Sequence, residues 1–139
     1  MSERTFAMIK PEGVARNLVD EIFRRIEKSG LKIVEKKKVL LDRERAQELY
    51  SVHRGKEFFE RLVESVTSGE VVGMIIEGEV AVKKMRELIG PTDPAKAPKG
   101  TIRGDFGESI TKNIIHAADS PENAEREAKI FFGHELWSK

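Results

Sequence analysis

The amino-acid sequence predicts an α+β domain: a βαββαβ sandwich with a four-stranded antiparallel sheet, helices mainly on one face and a long loop before the last strand. Three observations predict it. Apolar residues alternate between a period of two and a period of 3.6 along the chain. Glycine, proline and serine punctuate the changes of period. One stretch, residues 90–107, has no period at all. At 139 residues the chain has the size of one domain, enough to bury roughly two thirds of its unfolded surface, so a single unit over residues 1–139 is expected.

The alternation of RTFAMIK, residues 4–10, puts Phe6, Met8 and Lys10 on one side of a first strand, which Pro11 ends. Ala15, Leu18, Val19, Ile22, Phe23 and Ile26 recur at helical spacing, so a helix is expected over 14–28, closed by Ser29 and Gly30. LKIVEKKKVLL, residues 31–41, reads as the second strand, and its EKKK at 35–38 as a solvated strand edge. Asp42 has the chemistry of an N-cap for a short helix carrying Ala46, Leu49 and Tyr50. A further helix over 56–67 buries Phe59, Leu62, Val63 and Val66 and stops at Ser68-Gly69. The unbroken apolar run VVGMIIEG, residues 71–78, marks a central strand, and Ala81, Val82, Met85, Leu88 and Ile89 trace a helix that ends at Gly90-Pro91. Residues 90–107 then hold four of the 11 glycines and three of the five prolines, the composition of a functional loop. A short strand at 112–116 and a helix over 121–132, with Ser120 as N-cap and Pro121 at its first position, complete the ferredoxin-like order.

Composition excludes several function classes. Hydrophobic residues at 39% and charged residues at 35% describe a soluble globular chain, and no apolar run approaches the ~20 residues that cross a bilayer. The opening MSERTFAMIKPEG lacks the basic start and apolar centre of a secretory signal, so a cytoplasmic location is expected. The absence of cysteine removes disulfides, thiolate metal sites and a thiol nucleophile. A net charge of +1 argues against partners held by bulk electrostatics, whether membrane or nucleic acid. An RNA-binding module of the same outline would need two or three aromatics on its central strands, where Phe6 stands alone. No G-x-x-x-x-G-K-[ST], G-x-G-x-x-G or H-E-x-x-H motif is present, and GDFG at 104–107 lacks the H-R-D loop that would make it a kinase metal triplet.

The stretch NIIHAADSPENAERE, residues 113–127, carries the strongest chemical signal. His116 ends an apolar run, Ala117 and Ala118 leave room beside its ring, and the following helix start favours a nearby anion. Glu127 lies at the margin of the stripe formed by Ala124, Ala128 and Phe131, where it can face the sheet at the end of His116. A carboxylate so placed fixes the imidazole tautomer and raises its basicity, as a nucleophilic histidine requires. Arg86, Lys96, Lys99 and Arg103, with the Thr92 hydroxyl, could form a phosphate clamp without a glycine-rich cradle. The plainer alternatives are a satisfied structural histidine and ordinary surface charges.

Four blocks carry a family resemblance: RTFAMIKPEGV (4–14), GPTDPA (90–95), GTIRGDF (100–106) and NIIHAADS (113–120). In order and spacing they resemble the nucleoside diphosphate kinases, from Glu3 to about Phe132. The resemblance implies a ping-pong phosphotransferase, in which a histidine at the position of His116 takes the γ-phosphate of a nucleoside triphosphate through Nδ1 and passes it to a nucleoside diphosphate. By motif, Lys10 resembles the lysine that reaches the ribose hydroxyl and the transferring phosphate, and Asn113 its partner at the ribose. Tyr50 resembles the tyrosine beside the catalytic histidine, and Phe58 the aromatic on which the base stacks, with Leu62 as its support. Arg86, Thr92 and Arg103 resemble the phosphate ligands, and Glu127 the carboxylate that orients His116. Stacking with few edge contacts implies low base specificity. Mg2+ is implied as an ion bound through the nucleotide phosphates, with no dedicated protein ligand. A homo-oligomer is implied as well, a hexamer with the loop around Pro94 at its trimer contact, or a tetramer. Ala118 departs from the pattern: many members carry a serine there whose hydroxyl meets the glutamate, so a water is expected to fill the gap.

Overall fold

Side chains of the first strand, β1 (Glu3–Ile9), divide between two cores. Phe6 and Met8 enter one, Ala7 and Ile9 the other, as the two-residue period of a strand requires. The computed structural model describes residues 2–137 and pairs β1 with β3 (Glu70–Gly78) and β4 (Ile115–Ala117), and β3 with β2 (Lys32–Leu40). Every pairing is antiparallel, and the order is β2-β3-β1-β4. Among the described residues no helix is long and apolar enough to cross a membrane.

Helices α2 (Val19–Lys28) and α5 (Ala81–Ile89) cover the Ala7 face through Ile22, Ile26, Met85 and Ile89. Helices α3 (Arg43–Leu49), α4 (Phe59–Thr67) and α7 (Pro121–Phe132) cover the Phe6 face through Leu49, Val63, Val66, Ala128 and Phe131. One-sided placement therefore describes the two helices of the βαββαβ frame, while the inserted and terminal helices bury the second face. The cause is in β1 and β3, whose alternate positions are both apolar, and a sheet apolar on both sides must be covered on both. Gly73 lets α7 come close: a Cβ there would overlap the Phe131 ring.

Several boundaries differ from expectation for local reasons. The helix expected over 14–28 breaks into α1 (Pro11–Ala15) and α2, because Asn17 takes a left-handed φ of 58°, which asparagine tolerates better than most residues. The helix expected from 56 starts at Phe59, after Gly55 turns the chain with φ 82°. Residues 90–107 contain a 3-10 turn at Pro94–Lys96 and a short helix, α6 (Ile102–Phe106), whose N-cap Thr101 accepts the Gly104 amide at 3.0 Å. Five residues are too few for a helical period to register. β4 is shorter than the expected 112–116 because Ile114 has φ 80°. The lysines of 36–38 are exposed on the edge strand β2, as read. Helix α7 has the expected ends, with Ser120 Oγ accepting the Asn123 amide at 3.1 Å and Gly133 closing it.

Candidate active site

Edge strand β4 carries the histidine. Met8 pairs with His116, framed by Ala118 N–H donating to Phe6 O (3.0 Å) and Lys10 N–H to Ile114 O (2.8 Å). This register sends the His116 side chain to the Phe6/Met8 face, towards α7. Just before the strand, the left-handed backbone of Ile114 is rare for a β-branched residue. Its amide donates to the Glu12 carboxylate at 3.0 Å, a bond that holds this conformation in place.

Glu127 is buried on α7 and its Oε1 lies 2.7 Å from His116 Nε2. An ionised carboxylate only accepts hydrogen bonds, so Nε2 carries the proton and Nδ1 keeps its lone pair. Nδ1 has no hydrogen-bond partner among the described residues. The contact is direct although Ala118 brings no hydroxyl to the pair. The Tyr50 ring meets the imidazole edge-on at 5.4 Å between centroids. Its hydroxyl is buried and unpartnered among the described residues. Burial pushes the phenol far above its ordinary range and the Glu127 charge adds to this, so Tyr50 stays a neutral donor.

Lys10, Arg103 and Arg86 line the same cleft as this pair. Lys10, only 2% exposed, donates from Nζ to Thr111 O (2.8 Å) and Asn113 Oδ1 (3.0 Å). Burial lowers its ammonium to about 8, against an upward push from Glu12 and with a further lowering by Arg103. Asn113 Nδ2 donates to Thr92 O at 3.0 Å, which ties the loop after α5 to the approach of β4. Arg103, on α6 and 4% exposed, donates to Gly90 O (3.0 Å) and Ile115 O (2.7 Å), and its Nε is buried without a partner among the described residues. Burial and then the charge of Arg86 lower Arg103 to about 10, which leaves it cationic at neutral pH. Arg86, on α5, donates to Ala117 O at 3.2 Å. The two arginines thus cap carbonyls on the side of β4 that no strand covers.

These residues line one cleft of about 260 Å3. Lys10, Tyr50, Phe58, Leu62, Arg86, Thr92, Arg103, Asn113, His116 and Glu127 all line it. Lys96 and Lys99 do not line it and are exposed, which corrects their inclusion among the converging cations. Sequence reasoning missed other lining residues, among them His53, Ile110, Asp119, Asn123 and Arg126. His53 packs on Phe58 at 5.1 Å between centroids. Asn123 donates to Asp119 at 2.6 Å; that bond, and then the Arg86 charge, hold the Asp119 carboxyl below its usual range. Asp119 and Asn123 had a legible signal, being four residues apart beside His116; His53 and Arg126 had none. A cleft lined by cations, a lone-pair nitrogen and an aromatic ring suits a flat ring bearing phosphates.

Comparison with known proteins gives the family. The family model described as nucleoside diphosphate kinase matches residues 3–136. A nucleoside diphosphate kinase of Hyperthermus butylicus is 60% identical over 94% of this chain and 92% of its own length. That of Sulfurisphaera tokodaii is 56% identical over 96% and 90%. Among solved structures, the apo nucleoside diphosphate kinase of Encephalitozoon cuniculi superposes with a TM-score of 0.94 at 44% identity, covering 99% of this chain and 93% of the other. The Halobacterium salinarum enzyme, solved in complex with CDP, gives 0.92 at 44% identity over 96% and 90%. The chain belongs to the nucleoside diphosphate kinase family, enzymes that transfer phosphate between nucleoside triphosphates and nucleoside diphosphates.

Proposed function

We propose that this kinase works by a ping-pong mechanism through a phosphohistidine on His116, with low base specificity. The observation that carries the reading is the 2.7 Å contact of Glu127 with Nε2, which leaves Nδ1 as the free nucleophile in a cationic cleft. In the first half-reaction the Nδ1 lone pair forms an N–P bond with the γ-phosphorus, the bond from that phosphorus to its bridging oxygen breaks, and the nucleoside diphosphate leaves with the electron pair. In the second, a terminal phosphate oxygen of another nucleoside diphosphate attacks the same phosphorus and the N–P electrons return to Nδ1. One pocket serves both steps.

Each lining residue has a task in this reading. Glu127 stabilises the charge that grows on the imidazole as it is phosphorylated. Arg86, Arg103 and Lys10, with the Thr92 hydroxyl, neutralise the phosphates where charge spreads in the transition state. Lys10 and Asn113, already bonded to each other at 3.0 Å, hold the ribose. Tyr50 offers a neutral donor beside His116. Phe58, supported by Leu62, stacks the base, and a stacked base needs no particular edge. CDP in the Halobacterium salinarum relative supports a nucleotide as the occupant.

Outside the Glu127 pair, the cleft offers a metal ion one carboxylate among the described residues, Asp119. That donor set fits Mg2+ held chiefly by nucleotide phosphates, the hard oxygens it prefers; when bound there, the ion offsets phosphate charge. We further propose one catalytic unit over residues 1–139, a homo-oligomer, hexameric with the loop around Pro94 at a trimer contact or else tetrameric, and a cytoplasmic location without a stable nucleic-acid partner. Incubation with γ-labelled ATP and magnesium tests the mechanism. The protein should acquire label that is acid-labile and base-stable, and His116→Ala should abolish it; label that survives the substitution, or that resists acid, contradicts the reading.

A further inference from the structure

Glu127 uses one carboxylate oxygen on His116. Its other oxygen, Oε2, faces one cation among the described residues, the Arg126 guanidinium, whose Nη2 lies 3.5 Å away. Arg126 does not simply project into solvent. Its Nη1 donates to Glu48 O at 2.9 Å and its Nη2 to Leu49 O at 3.3 Å, while Nε contacts Asn123 Oδ1 at 3.4 Å. The two carbonyls close the C-terminal end of α3, where a cation is favoured. The next residue is Tyr50, whose ring packs against His116. One guanidinium therefore joins the carboxylate, the end of α3 that carries Tyr50, and α7. On the strand side the buried residue two positions after His116 is Ala118, which has no hydroxyl to offer Glu127.

We propose that Arg126 is a positioning residue for phosphoryl transfer: it fixes Glu127 through Oε2 and α3 through its last carbonyls, so that Oε1 stays on Nε2 and Nδ1 stays presented to the cleft. The inference deepens the reading of His116 as the nucleophile and rests on it. A carboxylate held at one oxygen alone can rotate about its terminal bond and leave the imidazole; the Arg126 charge 3.5 Å from Oε2 opposes that rotation.

The test compares Arg126→Gln and Arg126→Lys with the unsubstituted protein, using two readouts. The first is the proton resonance of His116 Nε2–H, measured without nucleotide. A hydrogen bond to an ionised carboxylate moves it downfield and slows its exchange. The second is the rate of His116 phosphorylation by ATP in a single turnover, alongside the Kd for ADP. The Gln variant, which loses the charge, should lose the protected resonance and be phosphorylated roughly tenfold more slowly, with the Kd for ADP unchanged. The Lys variant, which keeps the charge, should retain the resonance and most of the rate, and it alone decides the matter should the Gln variant fail to fold. The proposal is overturned if the Gln variant keeps the resonance, whatever its thermal stability, since Arg126 would then be a strut only. It is overturned equally if the Kd for ADP rises while the resonance persists, since Arg126 would then bind nucleotide directly, or if the Lys variant loses the resonance. A parent protein that takes no acid-labile phosphate on His116 would overturn the ping-pong reading alone, because the resonance is read without any transfer.

Discussion

The two edges of the sheet are finished by opposite means. β2 is nine residues long and sets Lys36, Lys37 and Lys38 out in solvent, charges that discourage another strand from adding to it. β4 is three residues long, and its outward carbonyls at Ile115 and Ala117 are taken by Arg103 and Arg86, which reach it from α6 and α5. The cations on β2 are hydrated and screened, and each contributes little. At β4 the backbone itself anchors the cations, and Arg103 is desolvated, so its field acts at full strength on what enters the cleft. The contrast teaches that residue type and net charge do not locate a site; cations held by an open strand edge beside a lone-pair nitrogen do.

Substitutions at the two edges should therefore differ by orders of magnitude. His116→Ala should lower steady-state transfer from ATP to a nucleoside diphosphate by roughly a thousandfold or more; a loss under tenfold would mean that β4 is not the reacting edge. Arg103→Ala removes a desolvated charge and orphans the Gly90 and Ile115 carbonyls. We expect kcat to fall more than about tenfold and urea denaturation to register a loss of about 2 kcal/mol. Normal kcat in that variant would take Arg103 out of the site.

Lys10 sharpens the comparison through pH. Its ammonium, lowered to about 8 by burial, must be charged to meet phosphate, so kcat/KM should fall as pH rises through about 8. Lys10→Arg should push that fall to higher pH, since a guanidinium remains charged. Stability has the opposite sign. Between about 8 and the ordinary 10.5 the unfolded chain binds the proton that the folded chain has released, so unfolding free energy should rise with pH across that window. A flat kcat/KM profile there would show that Lys10 is not a phosphate contact. The smallest effect belongs to β2: Lys37→Ala should change stability by less than about 0.5 kcal/mol and leave turnover as it is, and a large loss would erase the distinction between the edges.

Long periodic segments were legible in the sequence. The stripe of α5, the capped ends of α7 and the apolar run of β3 lie where their patterns put them, because each is decided by local spacing and by core burial together. Elements decided by one residue were not. The break at Asn17 and the shortening of β4 at Ile114 each turn on a single left-handed φ, and α6 is shorter than two helical turns. His116, Glu127, Arg86, Thr92 and Arg103 were legible as chemistry, whereas Lys10, Tyr50, Phe58, Leu62 and Asn113 came from motif resemblance, because the spacing from Lys10 to Arg86 to His116 carries no rule of its own; all ten line the cleft. Arg126 was invisible because its partners, Glu48 and Leu49, lie 78 and 77 residues away along the chain. Lys96 and Lys99 look like Arg103 in composition, but no carbonyl of β4 holds them, and they remain outside.

The most direct test of the account is the atom to which phosphorus becomes attached. Phosphorus–nitrogen correlation NMR on the phosphorylated protein, isotopically labelled in its three histidines, reads that atom without a substitution. A single coupling is expected, to Nδ1 of His116, with Nε2 still protonated against Glu127. Coupling to Nε2, or to His53 or His134, would contradict it.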